Sequence, residues 1–341
     1  MRVEALTDGR VADWDAYVAA CAKATIFHRA AFRDVIARAT GHKPVYRFAE
    51  RDGRVVGVLP LFLLDTGVFG KLAVSSPFLN IGGIAADDAE AEAALAAESE
   101  KLGREFGASY MEWRQRYATT LDLPVSDRKV TSLIPLTGGA DEVFARVHQN
   151  VRNKIRKAEK NGVVVEKGPQ FLDDFYRVYS RNLRDLGTPV ISRKFFAELQ
   201  RSLPDAVGIY RATLEGRLIG AKVVVTDKTT CYFVWAAAVR EELKFAPVHA
   251  LNWAAIRDAC EAGCDFVDFG RSSPDSTHQS FKKYWGVDVE PLPWTYQLLT
   301  RSEMPGLNPD NPKFALAIRI WKKLPVWLTR WIGPPLARRL P

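Results

Sequence analysis

The chain has 341 residues, 47% apolar and 11% aromatic, which is enough to bury two cores of ordinary size and excludes a disordered chain. The net charge of +8 does not mark a polyanion-binding body: seven basic side chains and no acidic ones lie between Asn311 and Pro341, so residues 1–310 carry only about +1. Cys21, Cys231, Cys260 and Cys264 are too sparse for a disulfide scaffold or a metal site, MRVEALTDGR holds no apolar leader core, and no uncharged run reaches the ~18–20 residues of a membrane span, so a cytoplasmic chain with reduced thiols and no metal is expected.

In chain order, the first predicted element is a helix through HRAAFRDVI, carrying Phe32. Phe48–Phe62 (FAERDGRVVGVLPLF) then reads as a β-hairpin, with apolar runs around an acidic-Gly-Arg turn. A third β-rich run follows, then a helix over Ala89–Phe106 closed by Gly107 and a short strand, SYMEW. Asp141–Gly162 has Val143, Phe144, Val147, Val151, Ile155 and Ala158 at helical spacing and is predicted as one helix. Its Arg152, Lys154, Arg156, Lys157 and Lys160 form either a solvated face or a ridge contacting phosphate or RNA.

The same order of elements then returns. Phe195 lies in ISRKFFAELQ, Arg211–Val225 (RATLEGRLIGAKVVV) is a second acidic-Gly-Arg hairpin, and a helix over Val248–Ala262 is closed by Gly263 before DFVDF. Phe32, Gly53 and Gly57 map onto Phe195, Gly216 and Gly220 at a constant offset of 163, which drops to 156 at the second helix and strand. The expected fold class is α/β, with mixed sheets covered by helices in two copies of one unit. The expected divisions are 1–140, 141–304 and a tail, 305–341.

In that tail Trp321, Trp327 and Trp331 interleave with Lys322, Lys323 and Arg330, and prolines at 325, 334 and 335 predict short helical pieces. Such amphipathic pieces suit an anionic membrane surface, apolar side down. Within the second copy, Asp268 and Arg271 fall at and just beyond the end of a strand, where ligands collect in α/β sheets. Asp268 reads as a ligand-orienting group or base, or as one half of an ion pair with Arg271 that shapes the loop. His249 and His278 have a pKa suited to proton transfer. The start of the second long helix, at His249, Ala250 and Leu251, is a candidate backbone for receiving a phosphate. Asn80, Trp235 and Tyr284 are candidates to line a binding cleft, and core packing is the other reading of Trp235.

The segment Ala246–Gln297, with FVDFGRS at Phe266–Ser272 and FKKYWG at Phe281–Gly286, resembles FemABX-like proteins, which themselves resemble tandem GNAT-type N-acyltransferases. NLRDLGTPV at Asn182–Val190, Asn150–Gly162 and SSPFLNIGGI at Ser75–Ile84 extend the likeness over nearly the whole chain, toward the bacterial branch linked to envelope polysaccharide or lipid synthesis. The resemblance implies two tandem GNAT-like domains and places in Lys282 a cation for the donor's developing oxyanion. It implies an N-acyltransferase using acyl-CoA as co-substrate, with no tightly bound cofactor, on the amine of a lipid or envelope precursor, a long-chain base giving a ceramide among them. The expected place is the inner face of the cytoplasmic membrane, with no DNA partner. Two departures carry alternatives. Glu242–Leu251 holds no Gly where GNAT enzymes carry a pyrophosphate loop, which also suits a non-catalytic polysaccharide-export factor. No long charged helical arm is present, which counts against, without removing, an aminoacyl-tRNA donor.

Overall fold

The structure, a computed structural model, describes the chain to residue 340 apart from positions 68, 228 and 306–311, and no side chains at 312–314. Parts of the expected tail, 306–311 and 341 together with the Lys313 side chain, lie outside the described residues. The chain forms two compact units. Unit one is Met1–Lys129, Pro291–Asn308 and Pro335–Pro341; unit two is Val130–Glu290 and Pro309–Pro334. Each is an α/β assembly of mixed sheet and helices.

In unit two the described strands form one seven-stranded sheet, in the order Val163–Lys167, Val207–Leu214, Arg217–Thr226, Thr230–Ala238, Phe266–Asp268, Val130–Pro135, Asp288–Pro291. Among the first six of these strands, neighbours are antiparallel except Thr230–Ala238 and Phe266–Asp268, which run parallel. A parallel pair needs a crossover, and the Pro247–Glu261 helix supplies it. Unit one repeats the motif: Lys71–Ser75 and Tyr110–Trp113 are parallel and joined through the Ala89–Phe106 helix. The strand closing each parallel pair on its far side comes from a distant part of the chain. Trp294–Leu298 pairs with Tyr110–Trp113, and Val130–Pro135 pairs with Phe266–Asp268.

The repeat is visible in backbone detail. Both hairpins turn on an acidic residue and a glycine with positive φ, Asp52-Gly53 at 51° and 77° and Glu215-Gly216 at 51° and 75°, the two-residue geometry that matches strand twist. Both shift register one step further on, between Ala49 and Glu50 and between Ala212 and Thr213. The second glycine of each pair lets the crossover helix approach the sheet. A Cβ on Gly57 would meet Leu95 Cδ1 at 3.0 Å, and one on Gly220 would meet Leu251 Cδ1 at 3.1 Å and Pro247 Cβ at 3.2 Å. Gly220→Ala is therefore expected to cost about 1–3 kcal/mol of stability in a denaturant titration, by overpacking this contact.

Two predicted elements differ in the structure. The expected helix over 141–162 is two helices, Gly139–Arg146 and Gln149–Lys160. The apolar spacing runs through the break because Val147 and Val151 enter the same core. His148 Nδ1 accepts the Asn150 N–H at 3.1 Å, and the Arg152 guanidinium donates to the Ala145 and Val147 carbonyls at 2.6 and 2.9 Å. Those caps satisfy the backbone groups that the break releases. In the tail, Pro325 separates the Pro312–Trp321 and Val326–Ala337 helices, but Pro334 and Pro335 lie within the second. Tertiary contact holds that helix: a Cβ on Gly333 would meet the Val190 backbone N at 3.1 Å.

Candidate active site

Pairing of the two parallel strands ends at Tyr232 and Asp268, while the Thr230–Ala238 strand runs on through a register shift around Val234. The Asp268–Ser272 turn leaves the sheet at this point. Asp268 is buried and faces away from Val267 and Phe269, which enter the core under the crossover helix. Its Oδ1 accepts the Thr131 hydroxyl at 2.5 Å and the Gly270 N–H at 2.6 Å. Gly270 takes the left-handed conformation, φ 73°, and its carbonyl accepts from Lys282 Nζ at 2.6 Å. One residue thus links the two candidates, by its N–H to the carboxylate and by its C=O to the ammonium.

Lys282 is 8% exposed on the Thr277–Lys283 helix. Burial lowers its pKa to about 8; the Asp268 carboxylate opposes that shift and Arg271 adds to it. Its ammonium is charged at neutral pH and only partly solvated, which makes it a strong local field. Ser132 donates to Gln279 Oε1 at 3.1 Å from the neighbouring strand, fixing the same short helix.

The structure brings Lys282, Asp268 and Arg271 together, and His278 lies on the Lys282 helix. His278 and Arg271 are exposed. His249 packs against Phe281 at 5.4 Å and Trp285 at 6.0 Å, and burial, followed by the charge of Lys154, pushes its pKa down to about 4, so it is neutral at pH 7. The helix it opens begins on Pro247, which has no N–H, and the N–H groups of His249 and Ala250 both close on the Ala246 carbonyl. Leu251 is core. Trp235 packs edge-on against Phe195 and Phe196, 5.6 and 5.2 Å away. Tyr284 is exposed with its ring against His148 at 5.0 Å. Asn80 belongs to unit one, where its carbonyl accepts the Trp294 indole N–H at 3.1 Å.

Residues 145–283 match the acetyltransferase (GNAT) domain family. This segment of unit two is a GNAT domain. FemX shares its fold with the chain at a TM-score of 0.70 and 16% identity, over 88% of this chain and 98% of that one. The C-terminal domain of a protein described as a lysylphosphatidylglycerol synthetase, from Agrobacterium fabrum, matches at 0.58 and 14%, over 84% and 91%. A tandem GNAT protein from the clavulanic acid biosynthesis pathway matches at 0.53 and 13%, over 86% and 97%. No curated protein sequence matches the chain. The fold is therefore that of tandem GNAT proteins of the FemABX-like kind.

The two GNAT-like units differ where the chemistry would sit. At the 156 offset Asp268 corresponds to Glu112. There the carboxylate is buried against its own Arg114, Nε to Oε1 2.8 Å, and accepts the Tyr296 hydroxyl at 3.0 Å. Arg114 also donates to the Leu79 carbonyl at 2.6 Å and stands 4.6 Å over the Trp294 ring. Unit one fills this position with its own side chains.

Two groups in the GNAT domain were missed from sequence. Lys222 is 1% exposed, donates to Asn252 Oδ1 at 2.6 Å and lies 3.0 Å over the Phe233 ring; burial holds its pKa well below the ordinary value. A lone Lys inside the apolar LIGAKVVV strand was the available signal. Gln279, three residues before Lys282 and hence on the same helical face, was the other.

Proposed function

We propose that the protein is an N-acyltransferase that moves an acyl group from acyl-CoA, or another thioester, to the amine of a lipid or envelope-precursor acceptor. A long-chain base, giving a ceramide, is the concrete case. The observation that carries this reading is the buried Lys282 ammonium held at Gly270 beside Asp268, inside a GNAT domain. The acceptor's neutral amine attacks the thioester carbonyl, and the oxygen's developing charge is taken by Lys282. The carbon–sulfur bond breaks, and the proton lost by nitrogen is balanced by the one gained by the thiolate. Asp268, already accepting two hydrogen bonds, keeps Lys282 protonated and positioned.

A membrane surface is the proposed workplace, on the inner face of the cytoplasmic membrane. Among the described residues no helix is long and apolar enough to cross a membrane. The tail helices are anchored on the Leu172–Leu186 helix: Arg184 donates to the Leu324 carbonyl at 2.7 Å and Arg330 to Ser180 Oγ at 2.7 Å. Trp321 is buried, whereas Leu316, Ile320, Trp327 and Trp331 are exposed, with Arg319, Lys322 and Lys323 exposed beside them. Exposed tryptophans among cations on a docked helix suit a lipid interface.

A second reading, an aminoacyl-tRNA donor, is favoured by the crossover helix, whose His249 and Ala250 N–H groups are already used on the Ala246 carbonyl and whose approach lacks glycine. Incubating the purified protein with acyl-CoA of graded length and a long-chain base separates the two. An N-acylated product by mass spectrometry is expected. No amide at any length sinks the first reading, and RNase-sensitive transfer from charged tRNA establishes the second.

A further inference from the structure

Three polar groups beside the Asp268–Ser272 turn are buried without hydrogen-bond partners: Gln279 Nε2, Ser272 Oγ and Trp285 Nε1. Such groups are rare in folded chains, since each has lost its water for nothing in return. Two of them share a place. Ser272 bridges Val130 on the strand that carries Ser132 two residues on, so both serines project from one side of it. Ser132 holds Gln279 by its Oε1 at 3.1 Å, which orients the carboxamide and leaves its nitrogen unused. Gln279 and Ser272 are 1% and 7% exposed. Lys282, one turn along the same helix face, uses one of its three N–H groups on Gly270.

We infer that Gln279 Nε2 and the Ser272 hydroxyl, with Lys282 Nζ, form one oxyanion pocket that receives the carbonyl oxygen of the acyl donor. The inference rests on the acyl-transfer reading and adds to it two donors that the lysine alone does not supply. A single ammonium attracts an oxygen from any direction, whereas a planar amide and a hydroxyl beside it fix where that oxygen lies. Donors aimed at a developing oxyanion act on the transition state rather than on substrate binding. The ligand class is therefore a thioester or ester carbonyl, and a small carboxylate imitates its charged form.

The test uses the full chain with two readouts. Gln279→Leu keeps the size and removes the donor. Its kcat with acyl-CoA and a long-chain base is expected to fall on the order of 10²–10³-fold with KM for the thioester little changed. Gln279→Glu, which puts a negative charge at the same place, is expected to fall at least as far. Independently of turnover, the side-chain amide resonance of Gln279 in the ¹⁵N-labelled wild type is expected to shift saturably with acetate, and to stop doing so in Lys282→Met. Wild-type kcat in Gln279→Leu overturns the pocket, as does a Gln279 resonance that ignores acetate. A wild type that acylates no amine removes the acyl-transfer reading instead, and the acetate titration then decides the pocket by itself.

Discussion

Lys282→Met is expected to lose acyl transfer by on the order of 10²–10³-fold while gaining stability at neutral pH. The two effects have one cause. Burial brings the Lys282 pKa from 10.5 to about 8, so below pH 8 the folded chain bears the cost of a charge that the unfolded chain holds in water. That depression corresponds to on the order of 3 kcal/mol, less about 1 kcal/mol for the bond to Gly270 that Met cannot make. Between about pH 8 and 10.5 the unfolded chain binds the extra proton, so the lysine's contribution makes wild-type stability rise with pH across that window. The variant lacks the rise. Activity runs the opposite way: oxyanion stabilisation needs the ammonium, so wild-type kcat should decline as pH passes about 8. Denaturant titrations at pH 7 and 9.5 with a kcat profile over pH 6–9.5 check both. A wild-type kcat still climbing beyond pH 9 contradicts the assigned role.

Trp327→Ala with Trp331→Ala is expected to abolish binding to vesicles rich in phosphatidylglycerol without changing thermal stability. These rings are 70% and 75% exposed. Burying a large apolar side chain is worth about 1.5–3 kcal/mol, so the pair accounts for roughly 10²–10³-fold or more in partitioning. Exposed Arg319, Lys322 and Lys323 add roughly 1 kcal/mol each near an anionic leaflet, so added salt should weaken wild-type binding. Exposed positions without partners rarely move stability by more than about 0.5 kcal/mol. Trp321→Ala is the contrast: its ring is buried, and its loss should cost roughly 3–5 kcal/mol. Vesicle binding by the double variant equal to the wild type would remove the membrane surface from the proposal.

What could be read in advance was local. Acidic-Gly turns at Asp52-Gly53 and Glu215-Gly216, and the helix-closing Gly107 and Gly263, take their conformation from the residue itself, and all four glycines have positive φ in the structure. The duplication followed from their spacing. Lys282 came from a motif, and the structure gives it a buried place beside Asp268.

What could not be read depends on pairing between distant parts of the chain. Nothing in VTSLIP announces that Thr131 will donate to a carboxylate 137 residues away, or that Ser132 will hold Gln279. The apolar spacing over 141–162 looks like one helix because periodicity records which residues enter the core, not whether the backbone stays helical between them. The Asp268 of one copy and the Glu112 of the other are the same kind of residue at the same place in the repeat. The sequence by itself determined that there are two copies of an α/β unit and a basic, tryptophan-bearing tail, because turn chemistry and composition act over a few residues. Only the tertiary structure decided that Arg114 and Tyr296 close the first copy's carboxylate while Lys282 shares Gly270 with the second, because burial and charge depend on what the fold packs alongside.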